Sequence, residues 1–298
     1  MTRTIWLASY PKSGNTWLRM LIANLSATDK PIDINDLPER GGIASARNPF
    51  DDLLLIDSGL LTPDETDALR PRVYEALARG DGGDEQPVRG VRFAKVHDAY
   101  SLTPAGEPLM AGARGADGAI VIVRDPRDVA PSLAHHNRTS IDEAITFMND
   151  ADAGFSIAAR QQLRQFRQKL SRWSGHVASW LDQPDIPVHL IRYEDMQADT
   201  AAALRGALDF AGIAATSEEI ARAVTFADFA QLRRQETEKG FREAPWQQPE
   251  VKFFRRGEAG AWRDELSADQ VARIEAAHAP VMQRLGYDLA SAKLARAG

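Results

Sequence analysis

Residues 4–17 read TIWLASYPKSGNTW: a short apolar run, a loop holding a lysine and a glycine, then the start of an amphipathic stretch. This order constrains the fold more than any other feature of the chain. A short apolar run followed by turn chemistry fits a buried strand. Trp17, Leu18, Leu21, Ile22 and Leu25 then recur at helical spacing, which predicts a helix over 17–25. A strand that feeds a helix through a tight loop opens a β-α-β unit, and such units build a parallel sheet. Residues 91–97 (VRFAKVH), 119–123 (AIVIV) and 186–192 (IPVHLIR) supply three more strand candidates.

Helical patterns separate these runs. Thr62-Pro63-Asp64-Glu65 reads as a capped start, with Pro63 in the first turn, of a helix running toward Arg79. VAPSLAHHN follows the third strand. Periodicity in Leu163, Phe166, Leu170, Trp173, Val177 and Trp180 predicts helix through 141–181, and further helices are expected over 198–212, 217–235 and 267–285. Residues 80–85 and 240–262 read as loops. The expected fold is α/β, a central parallel sheet flanked by helices on both faces, in a single domain over 1–298. No repeat or low-complexity tract interrupts it.

Composition excludes several function classes. There is no cysteine, so no disulfide, thiolate nucleophile or thiolate metal site is available. With 36 Lys plus Arg against 42 Asp plus Glu, the net charge of -6 argues against a nonspecific nucleic-acid coat. No segment is long and apolar enough for a membrane span, and the N-terminal apolar run is too short for a secretory signal. The expectation is a cytoplasmic protein.

In parallel sheets, ligands bind beyond the carboxyl ends of the strands. Four polar clusters fall there: the 10–16 loop, Lys95 with His97, Arg124 to Asp128, and Tyr193 to Asp195. A glycine-containing loop entering a helix cradles phosphate with backbone N–H groups and the positive end of the helix dipole. Lys12 adds charge, and Ser13 and Thr16 add hydroxyls. In the Walker A order, Lys and Ser/Thr follow the last glycine and the hydroxyl serves magnesium. Here Lys12 and Ser13 precede Gly14, which argues against an ATP or GTP hydrolase and an obligatory metal. Arg124, at a strand end, suits a second phosphate or else an ion pair with Asp125 or Asp128. A third basic, glycine-containing cluster stands at Phe254–Arg263. Lys95 and His97 alternate onto one strand face.

YPKSGNTW, VRDPRDVAPS and FRRGEAGAW, in this order and spacing, resemble the sulfotransferases that use 3′-phosphoadenosine 5′-phosphosulfate (PAPS). KVH at 95–97 and RYED at 192–195 are similar to further segments of that family, and the likeness runs from about residue 4 to 265. The resemblance implies a P-loop-like phosphosulfate site. In it Lys12 would contact the bridging oxygen, and Ser13, Gly14, Asn15 and Thr16 would cradle the 5′-phosphate. Trp17 would pack on the adenine with Phe226 as a second wall, and Tyr193 would reach the same base. Arg124, Ser132, Arg255, Arg256 and Gly257 would bind the 3′-phosphate. His97 would be the base and Lys95 a companion cation, so that His97, Lys12, Lys95 and Ser132 form the catalytic set.

The implied reaction moves the sulfuryl group from PAPS to the hydroxyl of a small molecule, lipid or glycan, without metal, releasing adenosine 3′,5′-bisphosphate (PAP). The alternative is a P-loop-like nucleotide or small-molecule kinase; a third is a nucleotide-binding module without catalysis. His135 and His136 are expected at the acceptor rim, while His176, Glu194 and Asp195 are expected to be structural. The sequence departs from the family in three places. No Leu-Pro follows the histidine, Ala261 stands where an acidic residue is common, and the Lys-Thr-Val-Glu dimer pattern of animal cytosolic members has no match after Trp262. The oligomeric state is left open.

Overall fold

The computed structural model describes residues 2–37, 43–81, 87–157, 164–244 and 252–290. Its strands are β1 (Arg3–Ser9), β2 (Val91–Val96), β3 (Gly118–Val123), β4 (Gly154–Phe155), β5 (Gln168–Lys169) and β6 (Val188–Arg192). Four of them form a parallel sheet in the order β2-β1-β3-β6, and β4 pairs antiparallel with β5 apart from it.

Alternation along the strands sorts side chains into two cores. Ile5, Leu7, Ile120 and Ile122 pack with Leu18, Leu21, Leu204, Leu208 and Ile220 on one face. Trp6, Ala8, Ala119, Val121 and Val123 pack with Val129, Leu133, Trp173, Trp180 and Ile274 on the other. Both faces are therefore covered, as a parallel sheet requires. The chain leaves β1 toward β2 on one side and adds β3 on the other. This reversal opens a crevice at the carboxyl ends of β1 and β3, where Ser9 lies level with Ile122.

Most expected elements are present within a few residues. Thr62 caps the helix Pro63–Arg79 through a capping box with Glu65. The stretch 141–181 is a correction. A helix covers Ile141–Asn149, and the next begins at Trp173. Phe166 and Leu170 lie outside helices, and Leu163 lies outside the described residues, as do 82–85 of the expected 80–85 loop and 245–251 of the expected 240–262 loop. Tertiary partners draw residues 166–169 out of a helix. Lys169 donates its backbone N–H to Asp98, Arg70 holds the Arg167 carbonyl, and Phe166 packs edge-on to Phe50. The expected 217–235 helix is two, Ser217–Phe226 and Phe229–Lys239, because Asp228 caps the second. Among the described residues no helix is long and apolar enough to cross a membrane.

Candidate active site

The crevice is built first by the loop between β1 and the helix Asn15–Ala23. Lys12 and Gly14 are both left-handed, with φ of 69° and 103°. Gly14 is required twice over, because a Cβ there would stand 2.7 Å from the Tyr193 ring. Asn15 ties the loop to β1 by donating from Nδ2 to the Leu7 carbonyl at 2.8 Å and to Ser9 Oγ at 3.2 Å. The helix N-terminus therefore sits at the crevice, where its free N–H groups favour an anion. Ser13 is buried, and its Oγ has no hydrogen-bond partner. Ser13 is not part of the cavity lining; of the four residues expected to cradle the 5′-phosphate, Gly14, Asn15 and Thr16 line it.

The arginine wall lies opposite. Arg124 leaves β3 and donates from Nη2 to the Glu258 carbonyl at 2.8 Å, with its guanidinium 4.3 Å from the Tyr193 ring centroid. Its buried Nε has no partner. The two carboxylates considered as its ion-pair partners are engaged elsewhere. Asp125 pairs with Arg127 at 2.7 Å, and Asp128 accepts from the Gly260 and Trp262 N–H groups at 2.6 and 2.8 Å. The latter bonds fasten the FRRGEAGAW loop to the helix Pro126–Asn137, which brings Arg255, Arg256 and Gly257 to the same cavity as Arg124 and Ser132. Arg255 forks onto Glu265 at 2.6 and 2.9 Å, and Arg256 meets Glu265 at 3.3 Å and Glu258 at 3.1 Å.

His97 follows β2. Its Nδ1 lies 2.8 Å from the Ser9 carbonyl. A carbonyl only accepts, so Nδ1 carries the proton and Nε2 is left with a lone pair. The His97 carbonyl in turn accepts from Nε2 of His176, a fully buried structural residue. Burial, then the charge of Lys95, holds the His97 imidazole well below its ordinary range and keeps it neutral at pH 7. Lys12 reaches over the Phe253 ring, 3.9 Å from its centroid. Burial, followed by Lys95 and Arg124, lowers its ammonium to about 7. Lys95 is held 2.9 Å from Glu243. Lys12, Lys95, His97, Arg124 and Ser132 all line one cavity of about 680 Å³. Asp98, next in sequence to His97, faces away into a buried pair with Arg70 at 2.7 Å.

A family model, the sulfotransferase domain, matches residues 119–286, more than half of the chain. The chain belongs to the sulfotransferase family. This sulfotransferase is 26% identical to cytosolic sulfotransferase 17 of Arabidopsis thaliana, over 91% of this chain and 71% of that protein. It is 28% identical to the luciferin sulfotransferase of Photinus pyralis, over 69% of this chain and 50% of that one. Its fold resembles mouse sulfotransferase SULT7A1 solved with PAP, with a TM-score of 0.58 and 19% identity, over 95% of this chain and 85% of that one.

The sulfotransferase cavity has an aromatic end that sequence reasoning placed in part. Trp17 lines it, donating from Nε1 to the Ala227 carbonyl at 3.0 Å and meeting Tyr193 edge-on at 5.7 Å. Phe226 lies outside the lining. It ends one helix, and Phe229, which opens the next, lines the cavity instead. A Cβ on Gly257 would fall 2.4 Å from the Phe229 ring, so the FRRGEAGAW loop closes against this residue. VTFADF ends at Phe229, and the helix break at Asp228 is the signal that would have chosen it over Phe226. His136 lines the cavity, whereas His135 Nε2 lies 3.1 Å from the Lys252 carbonyl. Phe155, Phe253 and Glu243 also line it, without any sequence motif to mark them. Glu194 accepts from the Asp125 N–H and the Tyr287 hydroxyl, and Asp195 faces Arg192 at 3.8 Å.

Proposed function

We propose that this sulfotransferase, as one catalytic domain over residues 1–298, moves the sulfuryl group of PAPS to a hydroxyl acceptor by in-line attack, with His97 as base. The observation that carries the reading is the His97 tautomer. Nδ1–H is spent on the Ser9 carbonyl, so the lone pair stands on Nε2 of a residue that lines the cavity with Lys12 and Lys95. The helix-entry loop with Lys12, Gly14, Asn15 and Thr16, and the arginine wall with Arg124, line one cavity and suit a nucleotide with phosphate at both ends. The solved proteins that share this fold include mouse sulfotransferase SULT7A1 and retinol dehydratase, each in complex with PAP.

In the proposed step, the acceptor oxygen forms a bond to sulfur while the bond from sulfur to the bridging phosphate oxygen breaks. His97 Nε2 takes the hydroxyl proton, and PAP leaves. A low-pKa imidazole is fully in its basic form at pH 7, and the incoming donor anions raise its basicity where it is needed. Negative charge grows on the leaving phosphate oxygen, where Lys12 and the loop amides are already fixed. Trp17, Tyr193 and Phe229 hold the adenine, and Arg124, Ser132, Arg255, Arg256 and Gly257 the 3′-phosphate. Arg255 and Arg256 then share their donors between Glu265 and the nucleotide. The acceptor is a small hydroxyl compound, a reading supported by the likeness to the luciferin sulfotransferase of Photinus pyralis and the flavonol 3-sulfotransferase of Flaveria bidentis. The likeness to cytosolic sulfotransferases supports a cytoplasmic setting.

His97→Ala tests the reading. It should lower turnover by about 10²–10⁴ while leaving PAP affinity within about threefold of wild type. Near-normal turnover would remove His97 from the mechanism and make His136, which lines the same cavity, the next base to test. Asp98 is already committed to Arg70.

A further inference from the structure

Glu243 sits among groups that the proposed function reserves for the donor. Its Oε2 accepts from Thr16 Oγ1 at 3.2 Å and from Lys95 Nζ at 2.9 Å, and its Oε1 meets Arg19 Nη1. Thr16 and Arg19 come from the helix Asn15–Ala23, Lys95 from β2, and the carboxylate from a turn at Phe241–Ala244. That turn is anchored: Ala244 N–H closes it on the Phe241 carbonyl at 3.1 Å, and Arg242 N–H donates to Asn35 Oδ1 at 2.9 Å. Side-chain exposures of 9% for Arg19, 14% for Lys95 and 17% for Glu243 place the cluster out of bulk solvent.

A carboxylate and a phosphosulfate cannot both occupy this place. Like charges a few ångströms apart in a poorly solvated site repel strongly, and one must leave or be protonated. We infer that Glu243 is an internal stand-in for the 5′ end of the donor: in the free protein it pairs with Arg19 and Lys95 and accepts from Thr16, and it is displaced when PAPS or PAP binds. The inference rests on the PAPS reading above. The arrangement keeps the cradle's donors converged before the nucleotide arrives, at a cost in affinity, because binding must first break these contacts.

The test uses two ligands and two variants of the full chain. PAP carries a 5′-phosphate, and adenosine 3′-monophosphate does not. Glu243→Gln should tighten PAP about five- to twentyfold and change adenosine 3′-monophosphate less than about twofold. Glu243→Ala, which cannot rebuild the contacts through an amide, should give at least the same gain and serves if the Gln variant folds poorly. An equal gain for both ligands would mean a general charge effect, and no gain or a loss for PAP would mean that the carboxylate stays in the loaded site. Either result overturns the inference while leaving the nucleotide reading intact. PAP binding to neither wild type nor variants would overturn the nucleotide reading itself, and the inference with it.

Discussion

Lys12 gives the sharpest handle on the donor site. Burial comes first, then the charges of Lys95 and Arg124, and together they lower its ammonium to about 7 against an upward pull from Glu243 and Glu236. In the proposed site, bound PAP places anionic oxygens beside that ammonium, so the loaded protein would hold the proton more tightly than the free one. Below pH 7 the free protein already carries the proton, and this group adds no pH dependence. Above pH 7 binding must take up a proton, so PAP affinity falls about tenfold per pH unit, or about 1.4 kcal/mol. From pH 7, where half the free protein still holds the proton, to pH 9 the loss is about 50-fold. The phosphates contribute little there, because their second ionisation lies near pH 6. Calorimetry at pH 8.5 in two buffers of different ionisation enthalpy should show about one proton taken up per PAP bound. Lys12→Arg keeps a charge throughout, so its affinity should be level over the same range with no proton uptake. A wild-type affinity that is flat from pH 7 to 9, without proton uptake, would refute the placement of Lys12 against the nucleotide anions.

Two further outcomes are expected. Arg124→Ala should weaken PAP by about 1.5–3 kcal/mol and adenosine 5′-monophosphate far less, because the guanidinium is fixed by backbone carbonyls and Tyr193 rather than by a carboxylate; equal losses for both ligands would move Arg124 out of the 3′-phosphate site. Asp98→Ala strands Arg70, which is 1% exposed, without its 2.7 Å partner, and should lower unfolding free energy in urea by about 3–5 kcal/mol; a loss under about 1 kcal/mol would show that Asp67 suffices for Arg70.

Legibility in the sequence followed the range of the interactions. The strands were readable because a parallel strand covered on both faces must be apolar along its length, and 119–123 is buried throughout. Thr62 and Glu65 marked a helix start because a capping box closes within four residues. The stretch 141–181 misled because Phe166 and Leu170 do sit in cores, but at positions fixed by Phe50, Arg70 and Asp98 rather than by a helical turn. Burial of the right residues does not distinguish a helix from a folded-back chain that buries them singly. Phe226 and Phe229 differ only by a helix break, and a helix break depends on which side chain caps it.

The sequence by itself determined the alternation of strand and helix, the loop from Tyr10 to Gly14 and the positions of Lys12, Lys95, His97 and Arg124 at strand ends, because each of these is set by neighbours along the chain. Only the tertiary structure decided that His97 turns its Nδ1–H to Ser9, that Arg124 is held by the Glu258 carbonyl, and that Glu243 reaches Thr16, Arg19 and Lys95. Those contacts join residues 88 to 227 positions apart. No local pattern encodes which of many carboxylates and carbonyls will meet a given cation once the chain has closed; the sheet order and the packing of the two cores make that choice.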